Sequence, residues 1–156
     1  MGSRTVIVGV GNPLARDEGL GPRAIELLQR RSLPENVDAI DAGTDLLAVI
    51  PELEAAGRVI LIDAIQAGRE PGTVHRFTLD ELLEKAVDVS PWRSAHDLTV
   101  VTAVRLAQTT GIRLPPTIVF GVEPGEVALG EGLTAAVEAA LDGLIEKVLT
   151  EVGAAG

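Results

Sequence analysis

Three side chains in this sequence carry the chemistry of a metal site: two carboxylates and one imidazole. Glu18 lies in the loop after the first apolar segment, Asp63 ends the run Arg58 to Asp63, and His96 lies in the loop Ser94 to Asp97. Carboxylate and imidazole groups together suit a divalent first-row metal, because zinc, nickel, manganese and iron accept both types of ligand. The three residues come from separate loops, so only the fold can bring them together.

Each of these residues also has an ordinary structural interpretation. Asp17 and Glu18 fit a solvated pair near a helix N-terminus, where the helix dipole favours carboxylates. Asp63 fits a carboxylate that caps the turn after a strand, and His96 fits a helix-start residue that bonds a backbone carbonyl. The other histidine, His75, lies in a segment of alternating polarity, and we interpret it as an ordinary edge-strand residue.

The glycine-rich turn after the first apolar segment does not predict a dinucleotide site. Gly9 and Gly11 supply the first two glycines of the dinucleotide-binding pattern, but Leu14 stands where the third should be. Pro13 also removes an amide donor from the turn that would hold a pyrophosphate. We therefore expect no organic cofactor.

Composition excludes several classes of protein. The chain has no cysteine, which excludes disulfide scaffolds, thiolate metal sites and cysteine nucleophiles. A net charge of −10 and an aromatic content of 2% argue against nucleic acid and anionic membranes as partners. No apolar stretch is long enough to span a bilayer, and the N-terminus lacks a signal-peptide pattern. A chain of 156 residues is the usual size of one domain, so we expect a single domain over residues 1–156, a monomer and a cytoplasmic location.

Strands and helices alternate along the chain, which predicts an α/β fold. We expect a three-layer sandwich with a twisted, mostly parallel five-stranded sheet flanked by helices. The predicted strands are Thr5 to Val10, Val37 to Ala42, Arg58 to Asp63, Thr73 to Phe77 (an edge strand) and Thr117 to Val122. The predicted helices begin at Gly21, Leu46, Asp80, Asp97 and Leu133. In such sheets ligands bind beyond the carboxyl ends of the strands, the edge that Glu18, Asp63 and His96 are expected to share.

The second predicted helix, Leu46 to Glu54, carries its own start and break signals. Thr44 or Asp45 would cap it. Pro51 would lie inside it, so we expect a kink or a break before that residue.

Four separated segments resemble the maturation endopeptidases of nickel–iron hydrogenases. The first runs from Gly9 to Gly21 and reads GVGNPLARDEGLG; the second is the strand end Ile62-Asp63-Ala64. The third is Ser94-Ala95-His96 with the helix that follows it, and the fourth is the late strand and glycine-rich loop from Gly121 to Thr134. The segments occur in the family's order over nearly the whole chain, so together they are specific.

The resemblance implies a function and a set of site residues. It implies an aspartic-type endopeptidase that removes a C-terminal extension from the large-subunit precursor of a [NiFe] hydrogenase after nickel has been inserted. The family's metal-binding positions fall on Glu18, Asp63 and His96, which would carry the activity. The nickel would be supplied by the substrate.

Several alternatives remain open from the sequence. The same ligands could dock a nickel centre without cleaving anything, as in an assembly chaperone, and Asp17 could act as a base. A glycine-asparagine-proline turn also occurs in peptidyl-tRNA hydrolases, but that activity needs a basic face. Ala42 stands where the family often has a glycine, so a positive φ would be unfavourable there.

Overall fold

A five-stranded sheet forms the middle layer of the computed structural model, which describes residues 4–87 and 95–154, apart from the side chains of residues 86, 87 and 95–99. The strands are β1 (Thr5–Val10), β2 (Val37–Gly43), β3 (Arg58–Ala64), β4 (Val74–Thr78) and β5 (Thr117–Val122). Their order across the sheet is β2-β1-β3-β5-β4. The first four strands in that order are parallel, and β4 pairs antiparallel with β5 at one edge. The predicted mostly parallel sheet and its edge strand are confirmed.

Helices cover both faces of the sheet. They are α1 (Leu20–Gln29), α2 (Ile50–Ala55), α3 (Leu79–Val87), α4 (Ala95–Thr109) and α5 (Ala135–Ala154), with 3-10 helices at Arg16–Gly19 and Leu46–Val49. Helices α1 and α5 pack on one face, while α2, α3 and α4 pack on the other. The predicted three-layer α/β architecture is therefore confirmed.

The central strands β1, β3 and β5 are largely apolar because each contributes side chains to both layers of the core. Val8 in β1 and Leu61 in β3 pack toward α2 and α4, whereas Ile7 and Ile60 pack toward α1 and α5. Successive side chains of a strand point to opposite faces, so a strand buried on both sides reads as a continuous apolar run.

The second helical region divides where the proline predicts a break. A 3-10 helix, Leu46–Val49, precedes α2, and Pro51 lies in the first turn of α2, where its missing N–H costs no hydrogen bond. The Asp45 carboxylate accepts a hydrogen bond from the Ala48 N–H at 3.2 Å. Asp45, one of the two predicted capping residues, is thus the cap.

Two predicted boundaries near the candidate site are wrong. The segment Arg16–Gly19, predicted as loop, forms a 3-10 helix that leads directly into α1 at Leu20. Helix α4 begins at Ala95 rather than Asp97, so the backbone of His96 belongs to the first turn of a helix and not to the preceding loop. Short polar segments with no apolar periodicity give little signal for either feature.

Ala42, near the end of β2, does not adopt the positive φ that would strain an alanine. Gly9 in β1 pairs with Asp41, and the next pair joins Val10 to Gly43, so Ala42 is the extra residue of a bulge. The positive φ, 55°, belongs to Gly43. The alanine at position 42 is therefore compatible with this turn.

The sheet order places a topological switch point between β1 and β3, the position at which α/β proteins form their ligand-binding crevice. From β1 the chain passes to α1 on one face, whereas the chain that leaves β3 continues through β4 to α3 and α4 on the other face. Adjacent strands whose connections leave to opposite faces form the switch point at which α/β proteins bind ligands. In the part of the chain that the structure describes, no helix is long and apolar enough to cross a membrane.

Candidate functional site

Two glycines allow the segment after β1 to fold back onto the end of the sheet. A Cβ on Gly21 would lie 2.8 Å from the Ile62 carbonyl oxygen and would overlap the Val10 carbonyl oxygen. A Cβ on Gly11 would lie 3.0 Å from the Glu18 carbonyl carbon and would overlap its oxygen. The absence of side chains at these positions lets the 3-10 helix that carries Glu18 lie directly over the carboxyl end of β1.

The two predicted carboxylates lie at this edge of the sheet. Glu18 is half-buried in the 3-10 helix after β1. Asp63 is only 2% exposed and is the next-to-last residue of β3, directly after Ile62, which pairs with Gly9 of β1. Both residues therefore flank the crevice between β1 and β3.

The neighbouring acid, Asp17, is fully buried and accepts four hydrogen bonds. Its Oδ2 accepts from the Gly125 N–H at 2.7 Å, the Glu126 N–H at 2.9 Å and the Thr134 hydroxyl at 2.8 Å. Its Oδ1 accepts from the Thr134 N–H at 2.7 Å. Burial raises the pKa of Asp17, but the hydrogen bonds from Thr134, Glu126 and Gly125 outweigh it and hold the pKa below its ordinary value.

The hydrogen bonds of Asp17 define its role. They tie the 3-10 helix to the loop after β5, and the Asp17 N–H adds a further bond to the Glu126 carbonyl oxygen at 2.9 Å. A buried carboxylate whose oxygens are already occupied is not available to take a proton from a substrate, so we do not assign Asp17 the role of base. It fixes the backbone from which Glu18 projects.

A further buried carboxylate, Glu123, organises the loop after β3. Glu123 follows β5 directly and is 4% exposed. Its carboxylate accepts hydrogen bonds from the Ala67 N–H at 2.9 Å and from the Arg69 N–H at 2.9 Å. The Gly72 N–H donates to the Glu123 carbonyl oxygen at 2.8 Å. The loop that continues from Asp63 is thus anchored to the same segment as the loop after β1.

Sequence reasoning missed this role of Glu123. The signal was present, because Glu123 is an acid placed directly after a wholly apolar strand, as is usual for a residue that ends a strand at a polar edge. The same pattern drew attention to Asp63. What the sequence does not show is that the Glu123 carboxylate faces backbone amides of a loop more than 50 residues earlier.

His75 lies on the edge strand β4, as predicted, but its ring is mostly buried. The side chain is 14% exposed, and its Nε2 lies 3.6 Å from Oε1 of Glu123. The ring stacks on Phe77 with a distance of 5.8 Å between the ring centroids. Nε2 has no hydrogen-bond partner in the described structure. His75 therefore packs beside the Glu123 anchor at the edge of the sheet.

The third predicted ligand, His96, has a side chain that lies outside the described residues. The described part of the chain contains no cluster of three histidine, cysteine, aspartate or glutamate side chains that could hold a metal ion. Glu18 and Asp63 share one edge of the sheet, whereas the complete set of Glu18, Asp63 and His96 stays a prediction.

The comparisons with known proteins all indicate the same family. A family model described as hydrogenase maturation protease matches residues 22–151. The hydrogenase expression/formation protein HoxM of Cupriavidus necator is 35% identical over 144 residues, which cover 91% of this chain and 70% of HoxM. The hydrogenase 2 maturation protease of Escherichia coli is 30% identical, over 98% of this chain and 93% of that protein.

Solved structures agree with these matches. The fold is similar to that of the hydrogenase maturating endopeptidase HybD from Escherichia coli, with a TM-score of 0.85 and 30% identity over 98% of this chain and 94% of that chain. It is also similar to the [NiFe] hydrogenase maturation protease HybD from Thermococcus kodakarensis, with a TM-score of 0.76 and 26% identity over 94% and 97% of the two chains.

Proposed function

The chain belongs to the hydrogenase maturation proteases and is a peptidase, and on that premise we propose that it removes the C-terminal extension of a nickel-loaded [NiFe] hydrogenase large-subunit precursor. We further propose that Glu18, Asp63 and His96 recognise the nickel of the precursor. The supporting observation is that Glu18 and Asp63 lie at the β1–β3 crevice, where the 3-10 helix of Glu18 and the loop after Asp63 are each anchored by a buried carboxylate.

The donor set favours a metal that arrives with the substrate. Two carboxylates and one imidazole without a thiolate are not expected to retain nickel tightly by themselves, because soft sulfur ligands are absent from a chain that has no cysteine. A metal that is already held by the precursor needs only a few additional ligands from the protease. Cleavage would then depend on whether the precursor carries its nickel.

The proposed site offers a route to peptide-bond hydrolysis without a serine or cysteine nucleophile. A cation beside the scissile bond can polarise its carbonyl group or lower the pKa of a water molecule. In our proposal Glu18 and Asp63 orient the nickel of the precursor at the crevice, and His96 supplies the third contact. Separate measurements of precursor binding and precursor cleavage distinguish contacts that only recognise the metal from contacts that also activate the bond.

The direct test is mass spectrometry of the precursor before and after incubation with the protein. We expect wild type to release a C-terminal peptide from the nickel-loaded precursor and not from the nickel-free precursor. Glu18→Gln, Asp63→Asn and His96→Gln should each abolish this release. The matched control is Glu54→Gln, because Glu54 is an exposed carboxylate near the end of α2. A site variant that trims the extension at the normal rate would refute the role given to that residue.

The same experiment separates recognition from activation. If the contacts only recognise nickel, the variants should lose binding to the precursor together with cleavage. If they also activate the peptide bond, a variant such as Asp63→Asn should still bind the nickel-loaded precursor while cleavage is lost. The assembly-chaperone alternative predicts an intact precursor in a stable complex with wild type, and membership of a peptidase family argues against it.

We also propose that the chain is a single-domain, monomeric enzyme of the cytoplasm. All five strands belong to one sheet, and both helical layers pack on it, which supports one domain. The absence of cysteine is ordinary in a reducing compartment. Sedimentation of the purified protein tests the monomeric state, and fractionation of cells tests the location.

A further inference from the structure

Two exposed leucines lie together at the edge of the sheet that carries Glu18. The large apolar side chains that are strongly exposed in the described structure are Leu14 (57%), Leu47 (45%), Leu106 (49%) and Leu129 (91%). A single exposed leucine needs no explanation. Leu14 and Leu129 differ from the other two because they lie on loops that are joined to each other, and Leu14 is four residues before Glu18.

A short parallel bridge joins the two loops. It pairs Ala15, in the loop after β1, with Gly130, in the loop after β5. The Gly130 N–H donates to the Leu14 carbonyl oxygen at 2.9 Å, and the Arg16 N–H donates to the Gly130 carbonyl oxygen at 3.1 Å. In parallel pairing, the residues that precede the two bridge partners lie side by side. Leu14 and Leu129 are those residues, and we refer to them as the leucine pair.

The backbone that presents the leucine pair is fixed from several directions. The Leu14 N–H donates to the Asn12 side-chain oxygen at 2.9 Å, which forms a tight turn. Arg16 adopts a left-handed conformation with φ of 50°, the one positive φ of a non-glycine residue in the described structure. Its side chain donates to the Gly132 carbonyl oxygen at 2.8 Å. Such strain persists only where the surroundings impose it, and it concentrates at functional sites.

From this arrangement we infer that the leucine pair is the surface on which the hydrogenase precursor docks. The inference rests on the proposed function and assigns a partner to the edge of the same site. A peptidase that trims the tail of a protein must contact its substrate around the crevice. Two exposed apolar side chains on a fixed backbone, near the 3-10 helix that carries Glu18, would bind an apolar patch of the precursor near its C-terminal extension.

Steady-state processing of the nickel-loaded precursor tests this inference. Leu14→Ser and Leu129→Ser should each raise KM about tenfold, because each removes much of the apolar area that one leucine would bury. The value of kcat at saturating precursor should stay unchanged. The conservative variant Leu129→Met should keep the wild-type KM. The matched control is Leu106→Ser, because Leu106 is exposed on the second half of α4. Thermal unfolding of all variants confirms that they are folded.

The outcomes separate this inference from the proposed function. If wild type cleaves the precursor but the leucine variants keep the wild-type KM, or lose activity only through kcat, the docking inference is wrong and the proposed function stands. If wild type does not cleave, its affinity for the intact precursor still tests the docking inference, because a loss of binding in Leu129→Ser supports docking. Unchanged or absent binding overturns it. Loss of a wild-type dimer in Leu129→Ser also overturns it, because a second copy would then be the occupant.

Discussion

Replacing Asp17 with asparagine changes one oxygen of a fully buried carboxylate into an NH₂ group and leaves the volume nearly unchanged. Oδ2 accepts three hydrogen bonds and Oδ1 accepts one, from the Thr134 N–H. The amide oxygen of the variant is therefore expected to take the place of Oδ2, since the opposite orientation would lose three acceptor contacts. The new NH₂ group then faces the Thr134 N–H, and two donors meet without an acceptor.

The size of this perturbation follows from the contacts that change. An unsatisfied buried N–H costs about 1–3 kcal/mol. The three remaining hydrogen bonds lose a charged acceptor, at roughly 1 kcal/mol each. Burial of a neutral amide is easier than burial of a carboxylate, which offsets part of the loss. We expect Asp17→Asn to lower the free energy of unfolding by about 2–4 kcal/mol and, for a chain of this size, to lower Tm by roughly 5–15 °C.

Urea and thermal unfolding at pH 7 measure this change directly. The matched control is Asp45→Asn, because Asp45 is an exposed helix cap with a single hydrogen bond to the Ala48 N–H and asparagine caps a helix nearly as well. A loss of stability in Asp17→Asn no larger than in Asp45→Asn would refute the reasoning. Precursor cleavage by Asp17→Asn should fall even well below its Tm, because Glu18 loses its fixed backbone.

The pH dependence of the same pair of proteins gives a second readout. The pKa of Asp17 in the folded state lies below its ordinary value, which is about 3.9. Its stabilising contribution is therefore fully present above that ordinary value and is lost as the pH falls through the lower folded pKa. The difference in unfolding free energy between wild type and Asp17→Asn should be constant from about pH 5 upward and should shrink at more acidic pH. A difference that grows on acidification would contradict this assignment.

Two further substitutions test how the loops at the crevice are built. Gly21→Ala should destabilise the protein by about 3 kcal/mol or more, because the new Cβ would overlap backbone atoms. The control Gly143→Ala, at an open position on α5, should stabilise the protein by about 1 kcal/mol. Urea unfolding measures both changes, and equal effects would refute the close approach at Gly21. Glu123→Ala should raise hydrogen exchange of the Ala67 and Arg69 amides about tenfold or more. Unchanged exchange at both amides would show that the loop after β3 does not depend on that carboxylate.

The sequence predicts the layers of this fold because hydrophobic patterning is local. The run from Thr5 to Val10 has no charged residue and is apolar from Val6 onward, and a strand buried on both faces accounts for it. The proline at position 51 likewise marks the break between the 3-10 helix and α2. These features depend on neighbouring residues, so they can be read without knowledge of the tertiary structure.

The anchors of the candidate site depend on distant residues and were not predictable in the same way. Asp17 could be read as a solvated acid or as a base, and its actual role depends on amides and a hydroxyl 108 to 117 positions later. The 3-10 helix at Arg16–Gly19 has no apolar periodicity, and close packing on Gly11 holds it in place. The identities of Glu18 and Asp63 as candidates came from their position at strand ends and from the resemblance to a family.

The attachment of both crevice loops to residues 123–134 has a consequence for synthesis of the protein on the ribosome. A nascent chain that ends at Val122 contains Glu18 and Asp63, but it lacks every donor to the Asp17 carboxylate and the whole Glu123 anchor. The amino-terminal strands of such a chain can pair, while the loops beyond them lack both carboxylate anchors. The loops that flank the candidate site can therefore be held in place only after residues 123–134 have emerged, well after both carboxylates have been synthesised.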